Sequence, residues 1–78
     1  MMDAEEELAA LDAVVRAEPD NADAVYRRGR LLWKLGRRGA AITDFNTAAE
    51  LDPSGPGREA AEHAMSIMSF FNPDLYNP

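Results

Sequence analysis

The sequence predicts an all-α fold of antiparallel helix hairpins, and three observations lead to this prediction. Apolar and small side chains recur at the spacing of one helix face in two consecutive stretches, through Val25, Gly29, Leu32 and Gly36 and then through Ala41, Phe45, Ala48 and Ala49. A turn with two glycines, residues 35–39, separates the two stretches. Pro53 ends the second stretch, because proline has no N–H to donate and a fixed φ. Residues 22–53 are therefore predicted to form a helix hairpin.

The first element in chain order is a helix over about residues 3–18. Its apolar face is formed by Leu8, Leu11, Val14 and Val15. Residues 5–7 are all glutamate and lie in the first turns, where the helix dipole favours negative charge. Pro19 then ends the helix.

The hairpin itself is predicted to contain helices over about residues 22–36 and 39–52. Asp20 and Asn21 are suitable N-caps for the first of them, whereas the second has only a glycine available. Gly29 and Ala41 lack bulk, so we expect them to meet where the two helices cross. Larger side chains would fill the space beside the crossing, because protein interiors are close-packed.

The hairpin resembles a tetratricopeptide repeat, a helix–turn–helix unit of about 34 residues. The family pattern W-x2-L-G-x2-Y, A-x3-F, small residue and closing proline corresponds here to Val25-x2-Arg28-Gly29-x2-Leu32, Ala41-x3-Phe45, Ala48 and Pro53. Arg28 departs from this pattern, because the family usually has leucine at that position. Its charged head is expected to reach the rim of the helix pair or to find a carboxylate.

The same period recurs within the chain, since Pro19 and Pro53 both follow similar helix ends and lie 34 residues apart. The first helix therefore resembles the second half of a preceding repeat. We predict one tetratricopeptide-like domain over residues 1–78, with flanking capping helices as in a fragment of an α-solenoid. Its predicted parts are a half-repeat helix (3–18), a complete unit (22–55), a capping helix (56–71) and a tail (72–78).

Composition limits the classes of protein to be considered. The chain has 78 residues, no cysteine and a net charge of −6. No apolar run is long enough to cross a membrane, and the acidic N-terminus does not have the pattern of a signal peptide. We therefore expect a cytoplasmic protein that does not interact with membranes.

Candidate catalytic and metal-binding residues are few. His63 is the only histidine, and Glu59 lies one helical turn before it. Two ligands from one helix do not make a metal site, and no nucleophile–base pair is evident. The sequence therefore predicts no enzyme activity, no metal and no cofactor.

The strongest functional signal is a set of aromatic and charged residues on the second helix, here called the aromatic–arginine strip. Its members are Asp23, Tyr26, Arg27, Arg30, Trp33, Lys34 and Arg37. The resemblance implies that this helix lines a concave groove, as the first helix of each tetratricopeptide repeat does. Arginine and tryptophan are also enriched at binding hot spots.

The strip is interpreted as a surface that binds a protein or peptide segment bearing Asp, Glu or a terminal carboxylate. The simpler alternative is a solvated face paired with the acidic first helix, with Trp33 covering the core. A further alternative is structural, either self-association as a homodimer or docking within a larger tetratricopeptide protein. Nucleic-acid binding is not expected, because the acidic chain repels phosphates.

Overall fold

The structure is a computed structural model that describes residues 2–71, with the side chains of residues 2–69. Its elements are α1 (Ala4–Ala17), α2 (Ala22–Lys34), α3 (Arg38–Leu51) and α4 (Gly57–Phe71). The all-α class is therefore confirmed. The predicted tail, residues 72–78, lies outside the described residues.

The helix ends follow from local hydrogen bonds. The side chain of Asp3 accepts from the Glu6 N–H at 2.9 Å, and that of Asn21 accepts from the Ala24 N–H at 3.0 Å, so both act as N-caps. The third helix has no side-chain cap, as the sequence indicated.

The second helix ends two residues earlier than predicted. Gly36 has a φ of 81°, a left-handed conformation that ends the helix. Its N–H donates to the Trp33 carbonyl at 3.0 Å, and the Arg37 N–H donates to the Leu32 carbonyl at 2.9 Å. This pair of bonds is a Schellman motif, and it turns the chain out of α2 into α3.

The four helices pack in chain order, with α2 and α3 forming the central hairpin, α1 against α2 and α4 against α3. One core cluster joins all four helices, and its buried members are Leu8, Leu31, Leu32, Ala41, Phe45, Ala61 and Ala64. Both flanking helices thus cover part of the hairpin.

Gly29 allows α2 to approach α3 closely, but its neighbour is not the one expected. A Cβ atom at Gly29 would lie 2.8 Å from Cε1 of Phe45 and 3.1 Å from Cβ of Asp44. The expected pairing with Ala41 is therefore wrong as the closest contact, although Ala41 is fully buried. The glycine makes room for a phenyl ring.

A second close approach joins α3 to α4. A Cβ at Gly57 would lie 2.8 Å from the backbone nitrogen of Ala49 and 2.9 Å from the carbonyl oxygen of Phe45. Both atoms belong to the backbone of α3, so they cannot yield as a side chain would. This glycine, which lies at the end of the linker in the sequence, is what lets α4 begin directly on α3.

Arg28 forms ion pairs with two carboxylates, as expected of a charged residue at a core-facing position. Its Nε and Nη2 donate to the two carboxylate oxygens of Asp44 at 2.8 and 2.9 Å, and its Nη1 donates to Asp12 at 3.2 Å. Asp44 is only 5% exposed. The hydrogen bonds between Arg28 and Asp44 raise the pKa of the Arg28 guanidinium above its ordinary value, and burial of the guanidinium offsets part of this increase. Arg28 therefore stays charged and ties α2 to α1 and α3.

Candidate functional site

The second helix forms a ridge between two open grooves. The α1/α2 groove has a volume of about 420 Å³ and is lined by Met2, Glu7, Ala10, Leu11, Arg27, Arg30, Leu31 and Lys34. The α2/α4 groove has a volume of about 560 Å³ and is lined by Tyr26, Arg30, Trp33, Lys34, Phe45, Pro56, Glu59, Ala60, His63 and Ala64. Arg30 and Lys34 line both grooves.

Tyr26 and Trp33 form the aromatic wall of the α2/α4 groove. Each ring is half-buried, with one part against the core cluster and the rest facing the groove. The ring centroids of Tyr26 and Phe45 are 5.8 Å apart, a tilted contact that anchors Tyr26 to α3. The two rings therefore cover part of the core and also face a groove.

Trp33 has a neighbour that the sequence reasoning missed. The guanidinium carbon of Arg38 lies 4.9 Å from the centroid of the indole ring, within the range of a cation–π interaction. Arg38 is the first residue of α3 and is exposed. It comes close to Trp33 because the Schellman turn folds α3 back beside the end of α2.

Two cations on the α2 wall have no carboxylate partner in the part of the chain that the structure describes. Within the described residues, neither Arg30 nor Lys34 forms a salt bridge, and the guanidinium carbon of Arg30 lies 6.0 Å from the centroid of the Tyr26 ring. Both side chains are exposed. They are therefore available to a ligand in either groove.

The opposite wall of this groove belongs to α4 and was not part of the predicted site. It presents Glu59 and His63 on either side of Ala60, with Ala64 one turn beyond. The spacing of Glu59 and His63 was visible in the sequence, but it suggested only a metal site. No group of three potential metal ligands exists in the part of the chain that the structure describes.

Asp23 and Arg27 do not line the α2/α4 groove, which contains the two aromatic rings. Arg27 donates to Asp23 at 2.9 Å, and both side chains are about two-thirds exposed at 67% and 69%. Arg27 lines the α1/α2 groove and is not among the described residues that line the α2/α4 groove. Asp23 borders a small hollow beside Tyr26 and Pro56.

Arg37 does not lie with the rest of the aromatic–arginine strip. Its Nη2 donates to Glu5 at 2.6 Å, on the side of the molecule that carries Arg28 and Asp44. Helical spacing from Trp33 placed it on the strip, but α2 has already ended at Lys34. The structure therefore gives Arg37 a role in joining the hairpin turn to α1.

Comparisons with known proteins extend the structural result. A sequence model of the tetratricopeptide repeat family matches residues 8–56, more than half of the 78-residue chain. Comparison with curated proteins and with solved structures gives no match. Among the described residues, no helix has the length and apolarity needed to span a membrane. The chain belongs to the tetratricopeptide repeat family, whose members are non-catalytic protein-interaction repeats.

Proposed function

We propose that this chain is a non-catalytic module that binds a carboxylate-bearing peptide segment in the α2/α4 groove. The observation that carries the proposal is that Arg30 and Lys34, which form no salt bridge with any described residue, lie beside an aromatic wall formed by Tyr26 and Trp33. A carboxylate desolvated by its surroundings gains most from donors that have no competing partner. Aromatic side chains supply contact area at a low cost in conformational entropy.

The groove suggests how such a segment would be oriented. Its carboxylates would lie along the α2 wall, where Arg30 and Lys34 donate hydrogen bonds. Its apolar side chains would pack between the rings and the small residues Ala60 and Ala64. Glu59 on the α4 wall would accept from peptide N–H groups, and it would repel a second carboxylate placed on that side.

Calorimetric titration with synthetic peptides tests this proposal. The probe is a short peptide rich in Asp, Glu and Leu with a free C-terminus, compared with a version in which Lys replaces the acidic residues. We expect the acidic peptide alone to bind, more weakly as salt is raised. Combining Arg30→Ala with Trp33→Ala should abolish binding, while circular dichroism shows unchanged helicity.

The matched control is Arg58→Ala on α4, which removes an exposed arginine that lines neither groove. Its affinity for the acidic peptide should equal that of the unchanged protein. Equal binding of the acidic and basic peptides would contradict the proposal. So would loss of helicity in the double variant, since Arg30 and Trp33 would then be structural residues.

A second candidate is a structural role, by self-association or by docking within a larger tetratricopeptide protein. It is favoured by Val14 on α1, which is 37% exposed although it lies on the apolar face of its helix. Light scattering over a range of concentrations separates the two candidates, because only self-association changes the mass of the protein alone.

A further inference from the structure

The helix array has two outer edges, and their side chains differ in polarity. The α1 edge is the exposed side of α1, the first helix, and the α4 edge is the exposed side of α4, the last helix. The chain's 34-residue period relates the core-facing positions of α2 to α4, so that Val25, Arg28, Gly29 and Leu32 correspond to Glu59, Glu62, His63 and Ser66. These four residues of α4 are all exposed. At these four positions the described part of the α4 edge is therefore polar, with a histidine where α2 needs a glycine to approach its neighbour, although Met65 on the same helix is 49% exposed.

The α1 edge, in contrast, carries apolar side chains. On α1, Ala10, Leu11 and Val14 share one helix face and are exposed or half-buried. They continue into the α1/α2 groove, whose floor includes Leu31 and whose end carries Met2, which is 52% exposed. By the same period, α1 corresponds to α3, which packs closely against two helices, whereas the main contact of α1 among the described residues is with α2.

We infer that this edge is the interface of a two-fold dimer, in which α1 of each copy lies in the α1/α2 groove of the other. An apolar patch on the α1 edge favours a closed, isologous dimer, because the same patch serves both copies. A head-to-tail chain would need the α4 edge as the second surface, and among the described residues that edge is polar at Glu59, Glu62, His63 and Ser66. This inference rests on self-association and not on peptide binding in the α2/α4 groove.

Charge complementarity identifies the occupant as a second copy of α1. The groove has Arg27, Arg30 and Lys34 on its α2 side. An occupying helix therefore needs apolar residues on one face with carboxylates beside them. The exposed face of α1 meets this requirement, because Glu7 lies one turn before Leu11 and Val14 continues the face.

The register of α1 against α2 makes the pairing specific. The ion pair Arg28–Asp12 joins α2 to α1, and Arg37–Glu5 joins the turn after α2 to the start of α1, so together they fix which residues of the two helices lie at the same level. In that register Val14 lies level with Arg27. A two-fold axis through the middle of α1 brings the partner's Glu7 opposite Val14, and so places it near Arg27. Each dimer would contain this charge pair twice.

Sedimentation equilibrium of the full chain tests the inference, with the dimer dissociation constant as the readout. We expect a dimer that Val14→Glu weakens by about tenfold or more, because the new carboxylate faces the partner's Glu7. Val14 is exposed, so this change should leave the helicity intact. Glu62→Arg on the α4 edge is the matched control and should leave the dissociation constant unchanged.

A charge exchange makes the test sharper. Glu7→Arg alone and Arg27→Glu alone should each lose the dimer, because each places like charges together twice. An equimolar mixture of the two variants should recover it, since every pair in the mixed dimer again joins opposite charges.

Three outcomes overturn the inference, and they differ in what else they affect. A dimer that persists in all of these variants places the interface elsewhere and leaves self-association standing. A dimer lost in Glu62→Arg indicates head-to-tail assembly through α4. A monomer at every concentration removes self-association altogether, but it leaves the peptide-binding proposal untouched, because that proposal is tested with the protein and peptide alone.

Discussion

Arg28 and Arg30 are two residues apart on the same helix, but their side chains have very different surroundings. Arg28 faces the hairpin and is held by three hydrogen bonds to Asp44 and Asp12. Arg30 faces outward and forms no salt bridge with any described residue, and its guanidinium carbon lies 6.0 Å from the centroid of the Tyr26 ring. Among the described residues, the charged group on the inner face of α2 is therefore fully paired, whereas Arg30 and Lys34 on its outer face have donors without a carboxylate partner. Spare donors beside an aromatic wall are what a binding surface requires.

The inner face tolerates two irregular residues because each is compensated by its neighbour on α3. Gly29 is unfavourable within a helix by about 1 kcal/mol relative to alanine, but it admits the Phe45 ring. Arg28 would be costly to bury alone, but Asp44 satisfies it with two parallel bonds. No buried side-chain nitrogen or oxygen lacks a partner in the described part of the chain. The irregularities of the inner face are therefore structural.

The largest effect expected from this comparison is that of Asp44→Ala. The substitution leaves Arg28 with Asp12 alone, at a position where its side chain is only 25% exposed. We expect the free energy of unfolding to fall by about 2–3 kcal/mol, less than for a fully buried pair because water reaches the guanidinium. Urea denaturation followed by circular dichroism measures this change.

Two further variants decide whether the loss comes from the unpaired charge. Glu50→Ala removes an exposed carboxylate from the same helix and should change stability by less than about 0.5 kcal/mol. Adding Arg28→Leu to Asp44→Ala removes the charge as well, so most of the stability should return. No recovery in the double variant would show that Asp44 matters for another reason.

The next prediction concerns two glycine-to-alanine substitutions that should change the stability of the protein in opposite directions. Gly29→Ala should destabilise the protein by about 1–2 kcal/mol, because its methyl group would overlap the Phe45 ring at 2.8 Å. Gly39→Ala should stabilise it by about 0.5–1 kcal/mol, because nothing lies within 4 Å and α3 gains a better helix former. Thermal unfolding of the two variants in parallel measures both. Stabilisation by Gly29→Ala would mean that the helices do not approach so closely.

The smallest effect concerns the outer face. Glu59→Gln removes the negative charge from the α4 wall of the groove without changing its shape. We expect the acidic peptide to bind a few-fold more tightly, which is a gain of about 0.5–1 kcal/mol. Calorimetric titration provides the measurement, and Glu62→Gln, whose side chain lines neither groove, is the control. Weaker binding by Glu59→Gln would mean that the peptide uses this carboxylate as its main acceptor.

Much of the fold followed from local signals. Helix spacing, the two prolines and the cap residues gave four helices whose ends lie within two residues of those observed. The need of Arg28 for a carboxylate was also evident, because a charge stood at a core position. The opposite charge of Asp44, on the facing stripe of α3 between Ala41 and Phe45, was the signal that would have identified its partner.

The site was less predictable, for two physical reasons. Helical spacing cannot be extended past a helix end, so Arg37 was assigned to a face that the left-handed Gly36 turns it away from. The residues of α4 opposite Trp33 depend on how distant helices pack, and periodicity within one helix does not contain that information. Gly57 decides that packing, yet in the sequence it looks like any other linker glycine.

The most direct test of the outer face as a binding surface is a nuclear magnetic resonance titration of labelled protein with the acidic peptide. Trp33 is the only tryptophan, so its indole N–H gives an unambiguous signal in the α2/α4 groove. We expect the largest shifts at that indole and at the amides of Tyr26, Ala60 and His63, with little change at Arg37. Shifts confined to other surfaces, with the indole signal unmoved at saturation, would contradict binding in this groove.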